Sequence, residues 1–185
     1  LDFDGSDDYV EIPNLADMNY VTISAWVNLG ADVTSLSGKQ IVTRDGNDAG
    51  TGRVWQFRID NDEKVRAIFF NTSTSNGQAT SNGSVAVGSW HHAAATWDGS
   101  TITVYLDGIA GTPVSFSGTL ETVDSPTWLA KNEPASSEIF QGQIDDIRIY
   151  DRAQPASLIS EIYNEPWRIV YPLGIRNISF AVAGE

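Results

Sequence analysis

The sequence predicts an all-β fold: a two-sheet antiparallel β-sandwich (jelly roll) with one short C-terminal helix. Apolar and polar residues alternate along many short segments, as expected for strands that bury one face. Asp-Gly and Asn-Gly pairs separate these segments and supply the positive φ angles that tight hairpins need. The chain has 185 residues and no cysteine, and a domain of this size buries enough surface to fold without disulfides.

The segment Val21–Leu29 shows the alternation most clearly, because Ile23 and Val27 share one face and Trp26 lies on the other. A polar stretch over residues 71–84 is predicted to be a surface loop or a weak edge strand. The sequence WDGST at residues 97–101 is the strongest hairpin signal. Further strands are predicted over residues 39–44, 54–59, 65–71, 91–97, 102–106, 114–120, 127–130 and 143–150.

Helical spacing occurs in one segment, residues 155–163, where Leu158, Ile159 and Ile162 recur on one side. Pro155 lies in the first turn, where its missing N–H is harmless. After this helix, residues 166–185 alternate again. The sequence therefore predicts a sandwich over residues 1–165 and a C-terminal β extension that packs on the sandwich or on a partner.

The charge balance narrows the classes of partner. The formal net charge is −13, and the 11 Lys and Arg residues are scattered singly rather than grouped in a basic patch. Nucleic acid is therefore not an expected partner. No apolar run approaches the roughly 20 residues that a membrane-spanning helix needs, so no membrane span is expected. The lack of cysteine excludes thiol catalysis and thiolate zinc sites.

Four motifs in order along the chain resemble laminin-G-like, concanavalin A-like jelly-roll domains. They are LDFDGSDDYV at residues 1–10, WHHAAATWDG at 90–99, YLDG at 105–108 and FQGQIDDIRIYDRA at 140–153. The resemblance implies two antiparallel sheets of about six or seven strands each, packed face to face. It also implies that Trp90, Trp97 and Tyr150 occupy core positions.

The same resemblance implies a structural calcium ion on the convex side, between the first and last strands. Mapped by motif, its ligands are Asp4, Gly5, Asp8 and Asp145, because calcium takes carboxylate and loop carbonyl oxygens. The alternative is that Asp4 and Asp8 are ordinary turn residues and that Asp145 forms hydrogen bonds at its strand.

Likeness to the pentraxin lectins implies a second group of acids and amides on two loops that meet at one rim: Asp45, Asn47, Asn132 and Glu133. The alternative is that these are ordinary hairpin loops. Beside Asp45 and Asn47, Trp55 is predicted to offer an exposed indole on which the apolar face of a sugar could rest.

Catalysis is not expected. Related sandwich glycosidases carry a Glu-x-Asp-x-x-Glu pattern that places two carboxylates on one face, and this pattern does not occur in the chain. Asp145 and Asp146 are adjacent in a predicted strand, so they point to opposite faces. His91 and His92 diverge for the same reason, and each is predicted to be partly buried and hydrogen-bonded.

These observations favour a non-catalytic binding module that recognises an oligosaccharide or cell-surface glycan, or serves adhesion, and that acts outside the cell or on a virion surface. The alternative is a structural, decoration or attachment protein of a virus particle, acting through protein contacts and self-association. Residues 164–182 motivate this alternative, because they resemble the ends of laminin-G-like proteins encoded by phages and viruses. An appended strand would offer an edge for pairing with another subunit.

Overall fold

The structure is a computed structural model that describes residues 1–13, 15–34, 38–45, 52–72, 75–132 and 138–165. Asn47, Glu133 and the predicted extension over residues 166–185 lie outside the described residues. The roles assigned to them above therefore stay predictions.

Within the described residues the chain forms two antiparallel sheets packed face to face. The strands are β1 (Asp2–Asp4), β2 (Val10–Ile12), β3 (Val21–Leu29), β4 (Lys39–Asp45), β5 (Arg53–Ile59), β6 (Val65–Phe70), β7 (Asn76–Thr80), β8 (Trp90–Trp97), β9 (Thr101–Leu106), β10 (Ile109–Ala110), β11 (Val114–Ser115), β12 (Thr127–Leu129) and β13 (Gln141–Tyr150). The seven-stranded sheet has the order β1-β13-β3-β8-β9-β10, and β11 also pairs with β9. The six-stranded sheet has the order β2-β12-β4-β5-β6-β7. The predicted sandwich of six or seven strands per sheet is confirmed.

The core lies between the sheets and follows the alternation of the sequence. In β3, Ile23 and Val27 are fully buried. Phe69 of the six-stranded sheet stacks on Trp97 of the seven-stranded sheet, with ring centroids 6.0 Å apart. Large apolar side chains from both sheets therefore meet in one layer, which is what makes the fold stable without disulfides.

The first and last strands of the sandwich are neighbours. Strand β1 pairs with β13, with Asp2 opposite Gln143 and Asp4 opposite Gln141. One residue earlier, the Ile144 N–H donates to the Leu1 carbonyl oxygen at 3.0 Å. The predicted adjacency of the N-terminal segment and the last strand is thus confirmed.

One helix, α1 (Ala156–Asn164), packs on the outer face of the seven-stranded sheet. Pro155 precedes it in an extended conformation, with φ −67° and ψ 152°, rather than lying in the first turn. Ile159 and Ile162 are its buried residues, and Ile159 packs with Ala94 and Tyr105. Within the described ranges, no helix has the length and apolar character to cross a membrane.

Some local predictions need correction. The stretch 71–84 contains a true strand, β7, at one edge of its sheet, so the edge-strand alternative is the right one. Residues 114–120 form only the short β11 and one bridge between Asn71 and Leu120. Trp90 is not a core residue, because 44% of it is exposed. It lies on the outer face with His92, and α1 covers His92 but not Trp90.

Candidate functional site

The outer face of the six-stranded sheet carries most of the candidate site. One row of cross-strand partners runs through Trp128, Thr43, Gln56, Ile68 and Gln78. Since directly paired residues point to the same side of a sheet, this row faces away from the core. We call this outer surface the polar face.

Two carboxylates and three amides lie buried on and beside strand β4. The Glu138 Oε2 atom accepts hydrogen bonds from Gln40 Nε2 at 2.7 Å and from Asn132 Nδ2 at 2.8 Å. The Asp45 Oδ2 atom accepts one from Gln56 Nε2 at 3.2 Å. All five side chains are buried. We call Gln40, Asp45, Gln56, Asn132 and Glu138 the carboxylate–amide cluster.

The pKa of Asp45 depends on burial and on the charges around it. Burial raises the pKa of Asp45, while Arg53, at 3.2 Å from Oδ2, and the hydrogen bond from Gln56 lower it. The negative charge of Glu138 raises this pKa further. The net direction is upward, and burial is the largest cause of the shift.

Several oxygen atoms of the cluster lack partners. Asp45 Oδ1, Gln40 Oε1 and Asn132 Oδ1 are inaccessible to solvent and accept no hydrogen bond in the part of the chain that is described. The NH₂ groups of Gln40 and Asn132 point toward Glu138, so their amide oxygens point away from it. An unsatisfied buried polar atom costs roughly 1–3 kcal/mol. Carboxylate and amide oxygens are a donor set that suits a hard cation such as Ca²⁺.

Farther along the polar face, charged side chains pair with one another. Arg58 Nε lies 2.7 Å from Asp60 Oδ1, and Arg66 contacts the other oxygen of the same carboxylate. Arg66 also donates to Gln78 at 2.9 Å. This network fixes two guanidinium groups on the polar face.

Of the residues predicted for this site, Asn132 donates to Glu138, and the charge of Glu138 acts on Asp45. Glu138 itself, Gln40 and Gln56 were not foreseen. A usable signal was the polar Gln40 beside Ile41 within a strand, but Glu138 joins the cluster only through tertiary contacts, such as the bond from the Gln40 N–H to its carbonyl oxygen.

Trp55 was assigned wrongly as an exposed platform. Its side chain is fully buried and packs beneath the Arg44 guanidinium, which lies 5.7 Å from the ring centroid. A sugar therefore has no access to this indole.

The N-terminal acids form a second group. The carboxylate oxygens of Asp4, Asp7 and Asp8 lie within 4.8 Å of one another, and all three side chains are exposed. Asp8 Oδ2 accepts the Asp4 N–H at 3.0 Å, and Asp4 Oδ1 accepts the Ser6 N–H at 2.7 Å. Gly5 lies in the turn between them with φ +82°. We call Asp4, Asp7 and Asp8 the N-terminal carboxylates.

Asp145 lies away from this group. Asp4 is opposite Gln141 on β13, whereas Asp145 lies four residues farther along, opposite Trp26. That separation is roughly 13 Å along a strand. The four residues predicted as calcium ligands therefore do not converge, while Asp7, which was not predicted, does join Asp4 and Asp8.

The two histidines do diverge. The Ala86 N–H donates to His91 Nε2 at 3.1 Å, so His91 Nδ1 carries the proton that bonds Asp107 at 2.8 Å. His92 is only 1% exposed, and neither ring nitrogen has a hydrogen-bond partner within the described residues. The prediction of a hydrogen-bonded imidazole is thus right for His91 and wrong for His92.

Comparison with solved structures shows the same fold in binding proteins. A native heptameric SAP-like pentraxin from Limulus polyphemus has a TM-score of 0.67 at 15% identity, over 88% of this chain and 80% of that chain. Domain 4 of AbnA, an extracellular arabinanase from Geobacillus stearothermophilus solved in complex with arabinotriose, has a TM-score of 0.65 at 18% identity, over 86% and 74%.

The receptor binding domain of botulinum neurotoxin D has a TM-score of 0.66 at 16% identity and matches 89% of this chain. This chain spans only 43% of that neurotoxin chain. At such identities these likenesses show the fold alone. No curated protein matches the chain in sequence. A family model matches residues 4–160, most of the chain, and on that match the protein belongs to the concanavalin A-like lectin/glucanases superfamily.

Proposed function

We propose that this chain is a non-catalytic carbohydrate-binding module that recognises a glycan at its polar face, with a calcium ion held by the carboxylate–amide cluster. The observation that carries the proposal is the set of buried oxygens without partners around Glu138. The arabinanase domain solved with arabinotriose supports a carbohydrate ligand. That enzyme is extracellular, and we propose the same location for this module.

Asp45, Gln40, Asn132 and Glu138 are the residues that would hold the ion. Calcium takes six to eight oxygen ligands, so these four side chains supply part of its coordination. The protein's own contribution is to orient the oxygens: Glu138 fixes the two amides, and Gln56 with Arg53 fixes Asp45.

Affinity electrophoresis tests this function. The protein is run through native gels that contain arabinan, xylan, β-glucan or mannan, with calcium or with a chelator. We expect at least one polysaccharide to retard the protein in calcium, and the chelator to abolish the retardation. Glu138→Gln should abolish it too, because the substitution removes the charge and the acceptor that both amides share.

Glu161→Gln is the matched control, since it removes an acid from α1 on the opposite sheet. It should leave the retardation unchanged. Migration unaffected by all four polysaccharides would refute glycan binding, whereas retardation that persists in chelator would refute only the calcium.

We also propose a separate structural calcium at the N-terminal carboxylates. Three carboxylates this close repel one another unless a cation lies between them. The turn at Gly5 and strand β1 position them beside β13, so an ion there would stabilise the pairing of the first and last strands.

A further inference from the structure

An exposed aromatic pair lies on the polar face. Tyr9 is 46% exposed, and Trp128 is partly exposed. Their rings form an edge-to-face contact, with centroids 5.5 Å apart and an interplanar angle of 64°. We call Tyr9, Trp128 and Lys131 the aromatic patch. Lys131 is included because its ammonium group lies close to both rings.

Lys131 fixes the two rings. Its Nζ atom lies 4.2 Å from the Tyr9 centroid and 5.8 Å from the Trp128 centroid, which are cation–π distances. Side chains held in this way lose little further freedom when a ligand binds, so the patch is preorganised. Its ammonium group also brings a hydrogen-bond donor close to both rings.

The patch is continuous with the carboxylate–amide cluster. Trp128 is paired with Thr43, and Thr43 with Gln56, which is a member of the cluster. The Thr43 hydroxyl donates to the Lys131 carbonyl oxygen at 2.9 Å, and Asn132 is the next residue. Neighbouring strands are about 4.8 Å apart, so the indole and the cluster are separated by only one or two strands.

The chemistry of this surface selects the class of ligand. An aromatic ring takes the apolar C–H face of a sugar, while nearby amides and hydroxyls bond its edge. A net charge of −13 repels polyanions such as sulfated glycans over long range. The described part of the polar face offers few apolar side chains besides this pair, so it lacks the apolar centre of a stable protein interface.

We propose that the aromatic patch is a stacking subsite for a neutral oligosaccharide that extends from the carboxylate–amide cluster. This inference rests on the proposed function and assigns one sugar ring to Trp128 and Tyr9.

Affinity electrophoresis in the same four polysaccharides, in calcium, tests the subsite. Trp128→Ala should bind about tenfold more weakly than the wild type, as expected for the loss of one aromatic contact. Tyr9→Ala, at a more exposed position, should show a loss in the same direction and provides a second test if Trp128→Ala is poorly folded. The melting temperature of each variant reports whether it is folded.

Trp90→Ala is the matched control, because it removes an exposed tryptophan from the opposite sheet. It should bind as the wild type does. Calcium-dependent binding that survives both Trp128→Ala and Tyr9→Ala would overturn the subsite and leave the proposed function intact. An equal loss in Trp90→Ala would also overturn it, and a wild type that binds none of the four polysaccharides would overturn both.

Discussion

His92 lies between the seven-stranded sheet and helix α1. Its ring is 5.6 Å from that of Trp26 and 6.2 Å from that of Tyr163. Burial lowers the pKa of His92 from 6.5 to about 4, and the nearby Arg148 charge acts in the same direction, while Asp107 opposes them. The His92 imidazole is therefore neutral in the folded protein, because a proton would place a second positive charge near that of Arg148.

This imidazole predicts a loss of stability in mild acid. Between pH 6.5 and about 4 the unfolded chain binds a proton at His92 that the folded chain does not. The free energy of unfolding should therefore fall as the pH falls through this window, by a total on the order of 3 kcal/mol. Urea denaturation at a series of pH values measures the effect.

His92→Leu should remove this part of the pH dependence. At neutral pH it should cost little, because an apolar side chain replaces a group whose nitrogens have no partners. His91→Gln is the control and should keep the loss between pH 6.5 and 4. An unchanged pH profile in His92→Leu would show that another group is responsible.

The two tryptophans at positions 55 and 128 show what alternation can and cannot decide. In β5, Trp55 shares a face with Phe57 and Ile59 and alternates with Gln56 and Arg58, so alternation alone assigns Trp55 to the core. Trp128 lies in a three-residue strand, too short to show a period. Only the sheet register, which depends on residues distant in sequence, identifies the exposed indole.

Strand β13 contains an irregularity that sequence did not reveal. Its register against β3 shifts between Asp145 and Arg148, and Asp146 has φ +46°. Arg148 closes this bulge by donating to both carboxylate oxygens of Asp146, at 2.8 and 2.6 Å. Because of this bulge, period-two alternation does not predict which faces of the sheet Asp145 and Asp146 occupy.

Asp146→Ala should lower the free energy of unfolding by about 2 kcal/mol, since it loses a bidentate ion pair and keeps a Cβ at a positive φ. Asp146→Gly should cost less, because glycine relieves the strain and loses only the ion pair. Urea denaturation in chelator measures both, with the exposed Asp145→Ala as control at under about 0.5 kcal/mol. Equal losses in Ala and Gly would show that the backbone conformation contributes nothing.

The hairpin between β8 and β9 was fully predictable, in contrast to the bulge. Asp98 accepts hydrogen bonds from the Ser100 N–H, the Ser100 hydroxyl and the Thr101 N–H, at 2.9, 2.8 and 2.7 Å. Gly99 supplies φ +86°. Four consecutive residues meet both requirements, so the local sequence was sufficient to predict this hairpin. Local sequence cannot predict contacts such as those of Glu138, because they depend on tertiary structure.

At the scale of the whole molecule, the structural calcium proposed at the N-terminal carboxylates predicts that stability depends on calcium. The test uses the Glu138→Gln variant, which lacks the ion proposed for the carboxylate–amide cluster. A chelator should lower the melting temperature of this variant by about 2–4 °C for each kcal/mol that the ion at the N-terminal carboxylates contributes. Adding Asp7→Asn and Asp8→Asn should abolish this shift, whereas adding Asp145→Asn should preserve it. An identical melting temperature with and without chelator would count against a structural ion.

The global architecture was the most predictable level, because four ordered motifs and the alternation agreed on two sheets. The arrangement of the residues predicted to bind calcium was less predictable. Asp4 and Asp8 are local to one turn and do lie together, but their separation from Asp145 follows from the pairing of Asp4 with Gln141, which no local pattern fixes.

The position of α1 determines how the domain can be attached to a surface. The helix lies on the outer side of the seven-stranded sheet, where Tyr163 stacks on Trp26. This side is opposite the polar face. Immobilising the protein on a biosensor chip or a bead through a side chain of α1 should therefore leave the polar face pointing into solution.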